Sequence, residues 1–286
     1  MTHVTRSNKL VCSLALFVAG LIALEAVPSF PALPFYYDQG LQRVLLSALV
    51  CAFAALLGGA RSLAPTGAGV RSSLRLGVYP LAVAGALCAV ELSSLVELAA
   101  AGGAPALSAS WASDLVGVAF LCAFVGVFEE VLFRVVLFGG MLSRHGATRN
   151  GLLASAVVSS VVFGAVHVSS AAGSTDPIAV AQMLLKTAQA GFIGLLLCAV
   201  YVRTRSVLGV AVLHALTDFL LMAPLALLGG GEQVVGSYVY QGGDALAVVM
   251  GVALVVVYAI AVALYVPCAV RGWRLLETAP LPASGP

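Results

Sequence analysis

The stretch Phe128-Glu129-Glu130-Val131-Leu132-Phe133-Arg134 decides how this chain must fold, because it sets three charged side chains in an otherwise apolar run. An ionised side chain at membrane depth costs about 2.5–3.5 kcal/mol on insertion scales, so residues of this kind usually serve a function. Two further apolar stretches carry histidines: His167 follows Phe163, and His214 precedes Asp218. We predict that the three stretches meet inside a membrane and form one functional site.

The composition is that of a polytopic membrane protein. Of the 286 residues, 61% are hydrophobic and only 9% are charged, whereas a soluble domain is about 45–50% apolar and about 25% charged. The net charge of +2 gives no indication of nucleic-acid binding. The six cysteines lie in or beside apolar segments without a Cys-x-x-Cys pair, so we interpret them as small buried hydrophobes.

Eight apolar stretches are long enough to cross a bilayer, since a spanning helix needs about 20 residues. We predict an all-α bundle of eight transmembrane helices in a single membrane domain, residues 1–286, with a functional core at about 112–229 and a flexible tail at 271–286. The fourth stretch is about 45 Å long if fully helical, so it must tilt, bend or project. The predicted spans are approximately 10–27, 41–60, 76–101, 112–143, 150–170, 178–202, 206–229 and 245–270.

The loop charges predict an orientation. Basic residues mark every second connection, as expected for the cytoplasmic side of a membrane, while the alternate connections are acidic with only Arg43 against the trend. We therefore predict that both termini are cytoplasmic. The abundance of alanine, glycine, valine and arginine suggests a bacterial cytoplasmic (inner) membrane. The basic residues that carry this prediction are Arg6, Lys9, Arg61, Arg71, Arg75, Arg144, Arg149, Arg203, Arg205, Arg271 and Arg274.

The acidic pair divides into two roles by helix geometry. Glu130 and Arg134 are four residues apart and can form an ion pair on one helix face. Glu129 points about 100° away from Glu130. A charged cytoplasmic helix end with a snorkelling arginine is the simpler interpretation, but residues 135–142 stay apolar for two further turns. The continued apolar run favours a functional pair within the membrane.

A lone histidine in a membrane helix is often a packing residue that forms a hydrogen bond. The chain has four histidines, and two of them, His3 and His145, lie in the N-terminal segment and in a loop. The remaining two occupy separate predicted spans. His214 shares a helix face with Asp218, and the other histidine, His167, lies one turn after Phe163, which can pack beside its ring.

Read in order, Glu-Glu-x-x-x-Arg, Phe-x-x-x-His and His-x-x-x-Asp resemble the motifs of the CPBP family of intramembrane proteases. This family, also called Abi or Rce1-type, contains CAAX-prenyl proteases and bacteriocin-processing enzymes. The resemblance covers about residues 112–229 and implies an eight-span, glutamate-dependent endopeptidase. Asp218 is a departure, because asparagine is common at that position of the family.

The resemblance also implies roles for individual residues. Glu129 would be the general base that activates a water molecule, and His167 would help to hold that water. His214 with Asp218 would stabilise the oxyanion on the scissile carbonyl. The supporting residues would be Glu130, Arg134 and Phe163.

Several alternatives stay open at this stage. We expect no cofactor or metal, yet Glu129, His167 and His214 are also a possible zinc ligand set. The function could instead be that of an immunity or scaffold protein, or of a proton-coupled transporter. As a protease, the protein would act in the bilayer on a prenylated tail, a leader peptide or a C-terminal sorting segment, the last as in myxosortases. The oligomeric state is undetermined, and four charged residues in the spans have no assigned role: Glu25, Glu91, Glu97 and Lys186.

Overall fold

The computed structural model describes residues 6–100, 107–168, 173–227 and 239–281, and no strand occurs within these ranges. A 3₁₀ turn covers Ala60–Leu63, and a π-helical segment covers Val131–Phe138. The α-helices are α1 Arg6–Ala26, α2 Phe35–Leu56, α3 Gly67–Leu76, α4 Val78–Ala100, α5 Trp111–Glu130, α6 Gly139–His145, α7 Arg149–Val166, α8 Pro177–Thr204, α9 Val207–Leu227 and α10 Ala245–Glu277.

In the described part of the chain, eight helices are long and apolar enough to cross a membrane. The predicted all-α, eight-span architecture is therefore confirmed. The cytoplasmic location of both termini stays a prediction. Helix α2 begins earlier than the predicted residue 41. It starts at Phe35, directly after Pro34, and carries Asp38 in its first turn. A carboxylate at that position favours a helix N-terminus, although its polarity lowers the local hydropathy.

Helix packing divides the chain into two compact units. The first contains residues 1–140 and 204–235, and the second contains residues 141–203 and 236–286. The first unit therefore includes α1–α5, the π-helical segment and α9, and the second includes α7, α8 and α10. The expectation of a single membrane domain remains a prediction.

The fourth span changes its helical form in the middle. It runs without interruption over Trp111–His145, but Val131–Phe138 is π-helical, with the Gly139 N–H donating to the Arg134 carbonyl five residues earlier. All eight residues of the segment are buried. Helix α1 packs on this segment through an edge-to-face contact of Phe17 with Phe133, whose ring centroids are 5.2 Å apart. Widened turns of this kind occur frequently at functional sites.

Small residues bring α5 and α9 close together in the first unit. A Cβ atom on Gly126 would lie 2.5 Å from the carbonyl oxygen of Ala211 and 3.3 Å from the Cβ of Ala215. Only glycine permits this backbone approach, since real Cβ contacts are longer. Gly126 stands one turn before Glu130, so the approach places the acidic pair next to α9.

In the second unit, polar side chains hold the ends of α10. The buried Gln182 amide donates to the Gly251 carbonyl at 2.8 Å and accepts from the Tyr240 N–H at 2.6 Å. At the other end, the Arg149 guanidinium donates to the carbonyls of Leu276 and Ala279. Cations that satisfy the last carbonyls of a helix stabilise its C-terminus. Helix α10 accordingly continues to Glu277, beyond the predicted end at residue 270, and of the expected tail only residues 282–286 lie outside the described residues.

Candidate active site

A buried ion pair forms the base of the site. The Arg134 Nε donates to Glu130 Oε2 at 2.7 Å, and Nη2 donates to Oε1 at 3.3 Å. Both side chains have no solvent exposure. The pair forms across the four-residue spacing that the sequence suggested, and its two-point geometry is the strong form of an arginine–carboxylate interaction.

His214 on α9 extends this pair to a second helix. Its Nδ1 lies 2.8 Å from Glu130 Oε1, and its side chain is only 7% exposed. An ionised carboxylate can only accept hydrogen bonds, so Nδ1 carries the proton in this contact. The Glu130–Arg134 pair thereby determines both the orientation of the imidazole and the direction in which Nε2 points.

Nε2 of His214 faces two further carboxylates. Asp218 Oδ2 lies 3.3 Å away, one helical turn along α9, and Glu129 Oε2 lies 3.8 Å away on α5. Their side chains are 30% and 21% exposed, respectively. Because both groups accept when ionised, each contact is favourable only when a proton lies on Nε2 or on the carboxyl group that faces it. The arrangement can therefore accept, hold and return a proton.

His167 and Phe163 lie in the second unit. The His167 Nδ1 is 2.7 Å from the Phe163 carbonyl oxygen, and the two rings meet edge to face at 4.6 Å. Since a carbonyl only accepts, Nδ1 carries the proton in this contact. The structure thus bears out the predicted packing of Phe163 beside His167. The meeting of His167 with Glu129 and His214 stays a prediction.

Arg43 was not recognised as a candidate from the sequence. It lies inside α2, where its guanidinium carbon is 6.0 Å from the centroid of the Phe128 ring. Glu129 and Glu25 are the carboxylates whose charges act on it. The sequence did contain a signal for Arg43, because its positive charge was the exception to the alternation of basic and acidic connections. Its charge was counted with the connection that precedes the second span, although residue 43 lies within the predicted span 41–60 and within α2.

The described residues include no group of three or more His, Cys, Asp or Glu side chains arranged to hold a metal ion. A metal-free site stays a prediction. The zinc hypothesis involved His167 together with Glu129 and His214, and its ligands come from both units.

The fold and the site define a multi-pass helical membrane protein with an imidazole held among carboxylates. Residues 111–220, which include Glu129 and His214, match the family model described as Type II CAAX prenyl endopeptidase Rce1-like. The family resemblance of the motifs is therefore confirmed over this segment, which is less than half of the chain. No curated protein and no solved structure gives a significant match.

Proposed function

We propose that the protein is a glutamate-dependent intramembrane endopeptidase that hydrolyses a peptide bond in a membrane-associated peptide or protein. The observation that carries the proposal is the imidazole of His214, held by Glu130 and turned toward Glu129 and Asp218. This arrangement lies in the segment that matches the Rce1-like family. We further propose a bacterial cytoplasmic membrane as its location, on the basis of composition.

The exposures of the two glutamates support different roles. Both oxygens of Glu130 are engaged, one by Arg134 and the other by Arg134 and His214, so this carboxylate is a positioning group. The partly exposed Glu129 can receive a water molecule and take its proton. General-base catalysis of this kind typically contributes about 10²- to 10⁴-fold to a rate.

The reaction follows from these positions. The water oxygen attacks the scissile carbonyl carbon while Glu129 takes the proton, and the carbonyl oxygen becomes an oxyanion. His214, protonated at Nε2, stabilises that oxyanion, and Asp218 orients the imidazole. As the carbon–nitrogen bond breaks, Glu129 returns its proton to the leaving amine. We propose from the family resemblance that His167 helps to hold the water.

The substrate class follows from the family description. A type II CAAX prenyl endopeptidase would cleave a prenylated C-terminal tail, so this is the first substrate to test. A leader peptide and a C-terminal sorting segment of the myxosortase kind are the next candidates. The proposed mechanism uses no metal.

The test measures cleavage of a farnesylated CAAX peptide by the protein in liposomes. We expect the wild type to cleave it and Glu129→Gln to reduce kcat by about 10³-fold, with an unchanged thermal unfolding midpoint. Glu97→Gln is the matched control, since it removes an exposed carboxylate of α4. Retained cleavage by Glu129→Gln would remove this residue from its role as base. Loss of wild-type activity on chelation, restored by zinc, would contradict the metal-free mechanism.

A further inference from the structure

Arg43 is an intramembrane cation that the proposed reaction does not use. It lies eight residues into α2, about 12 Å from the start of that helix, and its side chain is only partly buried. The described residues supply it with neither a hydrogen bond nor an ion pair, although its guanidinium approaches the Phe128 ring at 6.0 Å. A charge in a spanning segment is costly without a partner, so such a residue is expected to serve a function.

The surroundings of Arg43 indicate what kind of partner it takes. Phe128 directly precedes Glu129 in the sequence, and the charge of Glu129 reaches the guanidinium. Glu129 and Asp218 are both partly exposed, so they repel any anionic group that enters the site. Arg43 is the cation on the α2 side that offsets this repulsion. A guanidinium matches a carboxylate with two parallel hydrogen bonds, which a lysine cannot reproduce.

We propose that Arg43 binds the C-terminal carboxylate of the peptide substrate and thereby selects substrates whose scissile bond lies close to a free C-terminus. This inference rests on the proposed protease function and specifies its substrate. The face of Phe128 flanks the guanidinium and restricts its orientation by a cation–π contact. The bound tail then extends from Arg43 toward the carboxylate of Glu129.

The experiment compares two farnesylated peptides of identical sequence, one ending in a free carboxylate and the other in a carboxamide. We expect the wild type to prefer the carboxylate peptide by about 10- to 100-fold in kcat/KM, the range for a hydrogen-bonded charge pair. Arg43→Gln should raise KM for the carboxylate peptide by a similar factor and leave the carboxamide peptide unchanged. Arg43→Lys should give an intermediate preference. Arg61→Gln, which removes an exposed arginine of the 3₁₀ turn, should behave as the wild type.

The outcomes separate this inference from the proposed function. A wild type that cleaves both peptides equally well would overturn the role of Arg43, whether or not its variants fold. An equal fall in kcat for both peptides in Arg43→Gln would also overturn it, because Arg43 would then act on Glu129. Binding of both peptides to Glu129→Gln, measured by fluorescence anisotropy, gives a reading without cleavage. A carboxylate preference in binding that Arg43→Gln abolishes supports the inference even if no peptide is cleaved.

Discussion

Glu129 and Glu130 are neighbours in the sequence, but they belong to two different faces of the site. The sealed face consists of Glu130, Arg134 and Nδ1 of His214, and its two charged members have no solvent exposure. The open face consists of Glu129, Asp218 and Nε2 of His214, with carboxylates that are 21% and 30% exposed. The same imidazole contributes one nitrogen to each face.

This contrast shows how a chain can keep charged groups in an apolar medium. A buried charge is tolerated when a partner and further hydrogen bonds satisfy it, and this is the state of Glu130. A reactive carboxylate must instead remain reachable by water and substrate. A rotation of about 100° between consecutive helical residues gives the two glutamates these different surroundings. We therefore expect changes on the sealed face to affect stability and changes on the open face to affect turnover.

The largest expected effect is on the sealed face. Arg134→Met leaves Glu130 buried without its main counter-charge, which typically costs about 3–5 kcal/mol. The thermal or denaturant unfolding midpoint of the protein in detergent micelles measures this loss. The double variant Glu130→Leu with Arg134→Met should be less destabilised than the single variant, because no buried charge then remains unpaired. A single variant as stable as the wild type would contradict the structural role of the ion pair.

Gly126→Ala should have the next largest effect, because it moves α5 away from α9 and so displaces the glutamates from His214. The added Cβ would lie 2.5 Å from the Ala211 carbonyl oxygen, and such overpacking typically costs about 1–3 kcal/mol. We expect cleavage of the farnesylated peptide to fall by about 10- to 100-fold, since a misplacement of about 1 Å can have that effect. Gly85→Ala is the matched control, because a Cβ there meets no atom within 4 Å. Equal activities of the two variants would show that the close approach is unnecessary.

Asp218→Asn should have the smallest effect on kcat and tests the role of Asp218 on the open face. Its amide oxygen can still accept a hydrogen bond from Nε2 of His214, and asparagine is common at this position of the family. We expect kcat to change by less than about 10-fold, while Asp218→Ala should lose about 10²-fold, a typical contribution for a residue that supports oxyanion stabilisation. The comparison of kcat for the two variants gives the measurement. If Asp218→Asn were as inactive as Glu129→Gln, Asp218 would be the stronger candidate for the base.

Much of the fold was predictable from the sequence because bilayer crossing depends on local properties. Length and hydropathy identified eight spans, and the structure has eight helices of this kind among its described residues. Helix ends were less predictable, since they depend on contacts made elsewhere. The C-terminus of α10 is held by Arg149, more than a hundred residues earlier in the chain. The widening of the helix over Val131–Phe138 has no compositional signal, because this segment reads as an ordinary apolar run.

The residue types of the candidate site were predictable from the sequence, but the contacts between its helices were less predictable. The spacing of four residues indicated the pairs Glu130 with Arg134 and His214 with Asp218, and both pairs are in contact. The hydrogen bond from His214 to Glu130 joins residues 84 positions apart. No periodicity could have indicated it. Arg43 was overlooked because its charge was counted with the connection before the second span, although residue 43 lies within the predicted span and within α2.

Hydrophobicity and helical spacing were enough to predict eight helices able to cross a membrane, with an acidic pair, an arginine and two histidines within them. Which of the two adjacent glutamates is buried and which is partly exposed could not be predicted from these features. Burial and the contact of Glu130 with His214 arise only when separate helices pack. The approach of α5 to α9 at Gly126 brings Glu130 against His214 and leaves Glu129 partly exposed.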